Sequence, residues 1–297
     1  MEELLGYIQF VLAPQVVTGL VIGIAVILMA LGLTIIFGLL DVINMAHGSF
    51  YALGAFLLIA LLGAGLNFWI CLILVPLIVI PAGLVTERLL IQQVFHSRDR
   101  HTLTLLLTFG LSLIIEDLFK IIFGPDPHRP PTPIAGGTEL FGMFLPNYRI
   151  FLIVFGSALI AALSYFLFRS DFGARIRAAA HDRDMAASLG VQVKSVYSWT
   201  FALGLAVAAT SGVLLSPIYG VYPAMGHGFI FLAFAVVIIG GLGSIKGAVI
   251  AGLLCTQVFA LASLVVSPVW ADVLVFVVMV LVLLFRPQGL FGSLGHG

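Results

Sequence analysis

Polar side chains interrupt a very apolar stretch near the start of the chain. They lie in the segment Asp41-Val-Ile-Asn-Met-Ala-His-Gly-Ser-Phe-Tyr51, which carries Asp41, Asn44, His47, Ser49 and Tyr51. On a helix, Asn44, His47 and Tyr51 share one face. Amide and imidazole groups on such a face can exchange hydrogen bonds with a polar solute that is losing its water. The alternative is structural: Asn44 caps the helix that follows, and the other groups bond neighbouring helices.

A second polar segment resembles the first after a shift of 180 residues. Met45-Ala-His-Gly48 aligns with Met225-Gly-His-Gly228, and Tyr219, Tyr222 and His227 are candidate counterparts of the first polar cluster. An inverted repeat would place the two segments on opposite sides of a cavity near the middle of a membrane, with one histidine at each mouth. The alternative is that Gly-rich apolar helices resemble each other by composition alone.

Charged residues also occur within a long apolar run. Glu116 and Asp117 precede Lys120 by four and three residues, which puts the three charges on nearly one helical face. The spacing predicts an ion pair inside the membrane. A proton relay is the alternative function, because membrane carboxylates serve proton-coupled transporters.

The sequence offers no recognisable catalytic or metal chemistry. It has no G-x-x-x-x-G-K-[ST] motif, no metal-spaced histidine pair and no ordered nucleophile, base and acid, and Cys71 and Cys255 lie in apolar runs. We therefore predict no catalytic residue, no metal site and no cofactor bound by this chain; if ATP is used, another chain binds it. Lys plus Arg and Asp plus Glu both number 13, so no global charge attracts a nucleic acid.

The composition requires a membrane. Hydrophobic residues make up 62% of the chain and charged residues 9%, far from a soluble domain. Since about 20 apolar helical residues cross a bilayer, we predict one all-α transmembrane domain over 1–297, with about eight to nine spans, some of them short or broken, and a possible inverted repeat. The predicted spans are 16–40, 46–62, 68–90, 102–123, 150–168, 198–216, 228–243, 248–267 and 270–285.

The distribution of basic residues predicts the orientation. Connections 88–101 and 169–197 are rich in arginine, whereas 124–149 is poor in it and rich in proline. Because cytoplasmic loops are enriched in Lys and Arg, the first two are predicted to be cytoplasmic and the third an external, stiff surface loop. The N-terminus is then external and the C-terminus cytoplasmic.

The second basic connection is longer than a connector needs. Its residues 174–189 are good helix formers, between Gly173 and Gly190. The pattern predicts a short helix or helical hairpin on the cytoplasmic side. It serves either as an interfacial connector anchored by arginines or as a docking element for a partner.

Four blocks of sequence resemble the branched-chain amino-acid ABC transporter permeases of the LivH type. They are Ile36-Phe-Gly-Leu-Leu-Asp-Val-Ile-Asn-Met-Ala-His-Gly-Ser-Phe50, the loop Gly173–Gly190, Gly240-Gly-Leu-Gly-Ser244 and Arg286-Pro-Gln-Gly-Leu-Phe-Gly292. The blocks occur in the family's order, and the likeness covers essentially the whole chain.

The resemblance implies one half of a two-permease core in a bacterial inner membrane. Its expected partners are a second permease of the LivM type, two cytoplasmic ATPase subunits that bind ATP with Mg, and an external solute-binding protein. Branched-chain amino acids are the expected solute, with urea or short amides as alternatives in the same architecture. A standalone proton-coupled transporter is the alternative from a different class.

The resemblance also gives the docking loop a role as the coupling helix that ATPase subunits contact. The matching positions are Gly173, Arg175, Arg177, Ala180, Asp182, Arg183, Ala186, Ala187 and Gly190. The loop departs from the general importer signature E-A-A-x-x-x-G, because only two residues separate Ala187 from Gly190.

Overall fold

The computed structural model describes residues 8–95, 97–140 and 143–292, and these are mostly helical. The helices are α1 (Ala13–Leu40), α2 (His47–Gly63), α3 (Phe68–Thr86), α4 (Arg100–Phe123), α5 (Asn147–Arg169), α6 (Asp171–His181), α7 (Arg183–Ser188), α8 (Val193–Tyr219), α9 (Met225–Gly240), α10 (Ile245–Ala262) and α11 (Pro268–Phe285). The π-helical turn Ile8–Leu12 leads into α1, and α3 continues through the π-helical turn Glu87–Ile91 and the short helix Gln92–Val94. The two chain ends, predicted external and cytoplasmic, lie outside the described residues.

The helices confirm an all-α membrane bundle. Six helices of the described part are long and apolar enough to cross a membrane. They are Phe10–Leu40, Phe68–Val94, α5, α8, α10 and α11. The helices α2 and α9 are apolar but shorter, and α4 has 24 residues and carries the three predicted charges. Each of the nine predicted segments thus corresponds to a helix.

The middle of the bundle is formed by α1 and α8. The most apolar stretch of each is 89% buried, whereas that of α11, which is about as apolar as α1, is only 11% buried. Gly32 and Gly204 let the two backbones touch, because a Cβ on either would meet the other's carbonyl oxygen. Ser211 Oγ donates to Ala25 O at 2.8 Å. Gly32 contacts Gly204 and the earlier Ala25 contacts the later Ser211, so α1 and α8 run antiparallel.

The packing supports the inverted repeat. The 180-residue shift that aligns His47 with His227 also aligns the first residues of α1 and α8, Ala13 and Val193. The same shift relates α3 to α10. The helix α1 packs most extensively on α10, and its counterpart α8 packs extensively on α3. These two interfaces are equivalent under the repeat, and the antiparallel direction of α1 and α8 is what an inverted repeat requires.

The first turns of α2 and α9 meet inside the bundle. A Cβ on Gly48 would lie 2.4 Å from Gly226 O, and one on Gly226 would lie 2.3 Å from Gly48 O. The prediction that His47 and His227 occupy opposite mouths of one cavity is therefore wrong. The two histidines belong to helix ends that touch at a common depth. Both contact positions are glycine, because only a residue without a Cβ allows two backbones to approach this closely.

The Pro-rich connection contains a small hairpin. Strands β1 (Gly137–Leu140) and β2 (Met143–Pro146) pair in antiparallel fashion just before α5. The prediction of a stiff surface loop did not include these strands. The preceding part covers the end of α8: His128 forms a bridge with Val221, and Arg129 Nη2 donates to Ile218 O at 3.0 Å. This connection thus caps one end of the bundle.

Candidate functional site

Asp41 lies at the arginine-rich end of the bundle. It ends α1 in the left-handed region, with φ of 53°. Arg100 Nη2, at the start of α4, lies 2.7 Å from Asp41 Oδ2, and His101 Nε2 lies 3.6 Å from the same oxygen. Asp41 was predicted to line the pathway; the structure places it at the mouth of the bundle and ties it to α4.

Asn44 and His47 are fully buried where the chain enters α2. The Asn44 side-chain oxygen accepts from Ala46 N at 3.1 Å, and His47 Nε2 lies 3.0 Å from Met29 O on α1. In the described part, Asn44 Nδ2 and His47 Nδ1 have no hydrogen-bond partner. The Asn44 contact is a local turn before α2 and not the predicted helix cap, because α2 has no side-chain cap. The His47 contact is the interhelical bond of the structural alternative. The role of both residues in a pathway stays a prediction.

Helix α4 carries a polar stripe that the sequence analysis missed. Thr104, Thr108, Ser112 and Glu116 recur every four residues and so lie on one face. Thr108 Oγ1 accepts from Met45 N at 3.0 Å, and Ser112 Oγ lies 2.8 Å from the Ser49 hydroxyl. The four-residue spacing of hydroxyls in an apolar helix was the available signal. The stripe holds the irregular segment before α2 at membrane depth, where backbone groups need partners.

The stripe ends in a cluster of ionisable groups. Lys120 Nζ lies 2.8 Å from Glu116 Oε1 and 3.0 Å from Asp117 Oδ1. The other Glu116 oxygen lies 2.7 Å from His227 Nε2. The structure thus brings together the predicted ion pair and one predicted pathway residue. Glu116 joins α4 to the first turn of α9.

Three tyrosines form an aromatic group beside this cluster. Tyr51 is fully buried, and its ring centroid lies 4.9 Å from that of Phe229 on α9. The Tyr51 phenol lies close enough to Tyr219 and Tyr222 to interact with them electrostatically. The rings of Tyr219 and Phe229 are arranged edge to face, with 6.3 Å between their centroids. The side chains of Tyr219 and Tyr222 are exposed. The predicted counterparts therefore do converge, around α9.

The depth of the ionic cluster follows from the helix lengths. Glu116 lies about 24 Å along α4 from Arg100, and about 10 Å from the other end of the helix. The 16 residues of α9 also span about 24 Å, less than the roughly 30 Å of a hydrocarbon core. The helix α9 therefore begins inside the membrane, at the depth of Glu116. A line of polar groups thus runs along α4 from Arg100 to Lys120.

The predicted docking loop is a pair of short helices, α6 and α7. Ser170 caps α6 by accepting from Gly173 N at 3.0 Å, and Asp182 caps α7 by accepting from Asp184 N and Met185 N, both at 2.9 Å. Two short helices with separate caps agree with the helical hairpin alternative.

Several predicted coupling residues hold the loop in place. A Cβ on Gly173 would collide with Leu167 O, and Arg177 Nη1 donates to that same carbonyl. Ala186 is buried, and the Arg183 guanidinium lies 5.4 Å from the centre of the Phe95 ring. These residues face the bundle and fix the orientation of the helix pair.

The other loop residues line cavities or face outward. Ala180 and Arg183 border a cavity of about 700 Å³, which Asp41, Arg100 and Gln288 also line. Arg175 borders a separate cavity of about 830 Å³ between α3, α5, α6 and α8. Ala187 and Gly190 are exposed. The first cavity shows that the loop, the end of α1, the start of α4 and the C-terminal segment meet at one end of the bundle.

Two apolar residues of the loop were not predicted. Met185 is 59% exposed and Leu189 77% exposed, on or just after the short helix α7. Their neighbours Asp184 and Ser188 are polar and exposed. Large apolar side chains presented among polar ones favour a protein contact. The signal in the sequence was two large apolar residues, four positions apart, directly after the charged run Asp182-Arg-Asp184.

A buried carboxylate was also missed. Glu87, in the π-helical turn after α3, is fully buried and accepts from Ser198 Oγ at 2.6 Å and from Gln92 Nε2 at 3.0 Å. The π-helical turn brings residues five apart onto one side, which places Gln92 beside Glu87. This group ties α3 to α8 near the arginine-rich end.

Comparison with known proteins places these features in a family. The family model described as the permease component of the branched-chain amino acid transport system matches residues 15–283. The chain belongs to this family. It is therefore a multi-pass membrane protein of the transport permease type.

Permeases of two kinds resemble the chain. The high-affinity branched-chain amino acid transport system permease protein LivH of Escherichia coli (strain K12) is 31% identical, over 98% of this chain and 97% of its own length. The corresponding protein BraD of Pseudomonas aeruginosa is 30% identical, over 98% of both chains. LivM of Escherichia coli (strain K12) is 28% identical, over 89% of this chain and 67% of its own length. No solved structure matches the chain.

Proposed function

We propose that this permease is a subunit of an ABC importer that moves branched-chain or related amino acids into a bacterial cell. The single observation that carries the proposal is the match to LivH and BraD over nearly the whole chain, since both are high-affinity branched-chain amino acid permeases. The chain itself hydrolyses nothing in this proposal. ATP with Mg is bound by two partner subunits on the cytoplasmic side.

The helix pair α6 and α7 supports an ATPase contact. It lies at the end of the bundle that gathers Arg100, Arg183 and the C-terminal segment, which the positive-inside bias assigns to the cytoplasm. Met185 and Leu189 offer an exposed apolar contact. Arg177 and Gly173 hold the helix pair against the end of α5, so a movement of the pair would be transmitted to α5 and the rest of the bundle. ATP-driven closure of the ATPases would act through this connection.

The remaining proposed partners are a second permease and an external solute-binding protein. The likeness to both LivH and LivM supports a pair of permeases, one of each kind. The hairpin β1–β2 and the cap over α8 lie at the opposite end from the arginine-rich loops. We assign that end to the outside of the inner membrane, where a solute-binding protein would deliver the amino acid.

The polar groups along α4 and the first turns of α2 and α9 support a route for a polar solute. Ionisable residues within a membrane face protein or water, because hydrocarbon does not solvate them. Glu116 and Lys120 offer charges of both signs, which suit the ammonium and carboxylate of an amino acid, and the His227 imidazole offers a further hydrogen-bonding group. Urea and short amides carry no charge and would not use these charges.

Uptake by reconstituted vesicles tests the proposal. The chain is reconstituted with its second permease and ATPase subunits, the binding protein is added outside with labelled leucine, and ATP is enclosed with the ATPases. We expect uptake that requires both ATP and the binding protein. A matched preparation with a hydrolysis-deficient ATPase should show none. Uptake that persists without ATP and stops with a proton uncoupler would overturn the proposal in favour of a proton-coupled transporter.

A further inference from the structure

Charged groups lie on the outer surface of the bundle at membrane depth. Asp117 is 70% exposed, and Lys120 and His227 are partly exposed, although all three lie in the outer half of the membrane-crossing part of the bundle. The cluster begins about 10 Å inside the outer end of α4. Lipid chains cannot cover such groups without a large cost. A different covering is needed on this side of the bundle.

Two glycines on the same side have no close neighbour within the chain that would explain why the residue is glycine. Most glycines of the bundle's centre face a neighbouring backbone, as Gly48 faces Gly226. In contrast, no heavy atom of the described residues lies within 4 Å of a Cβ built on Gly110 of α4 or Gly228 of α9. Glycine destabilises a helix interior and is retained where something approaches closely. At these two positions nothing in the described chain approaches closely enough to require glycine.

The exposed charged groups, the open glycines and an exposed aromatic residue lie on one side of α4 and α9. Ala224 just before α9 and Gly228 and Phe231 on it follow a helical spacing of four and three residues and are exposed, and Phe231 is 50% exposed. On α4, Gly110 and Asp117 are seven residues apart and point the same way. The contact between His227 and Glu116 joins the two helices at this depth. We call the surface formed by Gly110 and Asp117 of α4, Gly228 and Phe231 of α9, and Ala224 just before α9 the α4–α9 face; Gly110 is partly buried and the other four are exposed.

We propose that the α4–α9 face is the surface on which the second permease of the complex packs. Small residues allow close approach of membrane helices, and the aromatic ring of Phe231 provides contact area between them. The facing chain supplies polar groups or enclosed water to Asp117 and to the exposed part of Lys120. The inference rests on the proposed function, because it takes the partner to be a permease of the same family.

The other outward faces fit lipid. The exposed side chains of α11 are nearly all large and apolar, such as Val280, and α5 presents Val154 in the same way. The one carboxylate of α11, Asp272, is exposed and lies in the second turn, close to the Pro268 end of the helix and away from its middle. Large aliphatic side chains without charges or unexplained glycines are what a lipid boundary needs. These helices serve as the reference surfaces for an experiment.

Site-specific photo-crosslinking in the complete complex tests the face. The photoreactive residue p-benzoylphenylalanine replaces Phe231 in one variant, Val154 in a second and Val280 in a third, and each complex is purified with its second permease and ATPases before illumination. We expect a permease–permease adduct from position 231 and only lipid adducts from 154 and 280. An adduct between permeases from 154 or 280, with none from 231, would overturn the assignment of the face.

A glycine substitution provides a second reading. Gly228→Leu has room within the chain, so it should insert and fold as before, but its side chain fills the space that the partner occupies. We expect at least a tenfold loss of co-purified second permease, whereas Gly63→Leu, another open position, keeps it. Retention of the partner by Gly228→Leu would contradict the face. A wild-type chain that purifies with no second permease would overturn the proposed function itself, and the face with it.

Discussion

Glu116 on α4 and His227 on α9 are joined by a 2.7 Å contact between Oε2 and Nε2, although 111 residues separate them in the sequence. The contact links a polar stripe on one helix to the first turn of a helix that begins inside the membrane. Lys120 and the α9 N-terminus bring positive charge to the same carboxylate. One side chain therefore holds two helices and a cluster of charges together.

We predict that Glu116→Gln weakens the join between α4 and α9. The neutral amide loses the charge attraction to Lys120, and hydrogen bonds to charged groups contribute about 1.5–3 kcal/mol. We expect the free energy of unfolding in detergent to fall by roughly 1–2 kcal/mol, since the group is partly open to solvent, and transport to fall with it. The matched control is Asp117→Asn on the exposed neighbour, which should change stability by less than about 0.5 kcal/mol. Equal effects of both substitutions would contradict the link.

The Gly48–Gly226 crossing gives a second prediction. A methyl group on either residue would overlap the other backbone, because built Cβ atoms lie within 2.4 Å of a carbonyl oxygen. Overpacking of this kind costs about 1–3 kcal/mol or more where backbone cannot move. We expect Gly48→Ala and Gly226→Ala to lower the thermal unfolding temperature by several degrees. Gly63→Ala, with open space around it, should leave the unfolding temperature unchanged or raise it.

Much of the bundle could be predicted because its periodicity is simple. Runs of about 20 apolar residues identify membrane helices, and arginine positions separate the two groups of loops. The repeat was visible through His47 and His227 because the histidines stand out against apolar residues. The hairpin β1–β2 was missed because frequent proline favours irregular loops, while the strands are only four residues each.

The site was harder to predict, because its contacts join distant segments. Hydroxyls such as those of Thr108 and Ser112 are common in helices and can bond their own backbone, so their partners Met45 and Ser49 could not be read from spacing. The contact between His227 and Glu116 depends on where α9 begins. Whether His47 faces a cavity or a neighbouring helix is decided by helix packing, which periodicity does not specify.

The buried carboxylate of Glu87 gives a third prediction. Ser198 Oγ donates to it at 2.6 Å, and removal of a donor leaves buried charge less well solvated. We expect Ser198→Ala to lower the free energy of unfolding by about 1–3 kcal/mol. Ser195→Ala, one turn earlier and exposed, is the control and should have little effect. Denaturant titration in detergent measures both, and a small effect at Ser198 would show that Gln92 alone satisfies the carboxylate.

The exposed residues of the docking loop give the last prediction. Met185→Glu and Leu189→Glu place charges on an apolar contact without touching the caps at Ser170 and Asp182, so the chain should insert and fold normally. Desolvating an unpaired charge at an interface costs several kcal/mol, so we expect ATPase subunits to co-purify at least tenfold less well and ATP-dependent uptake to fall in parallel.

Ala174→Glu on α6 is the matched control, because it adds the same charge to an exposed position on the other helix of the pair. It should keep most of the ATPase. Arg177→Ala should act differently: it releases the loop from Leu167 O, so the ATPase still binds while its hydrolysis no longer drives uptake. If Met185→Glu and Leu189→Glu retain both ATPase and uptake, the contact lies elsewhere on the arginine-rich end, and the role of α7 in coupling is wrong.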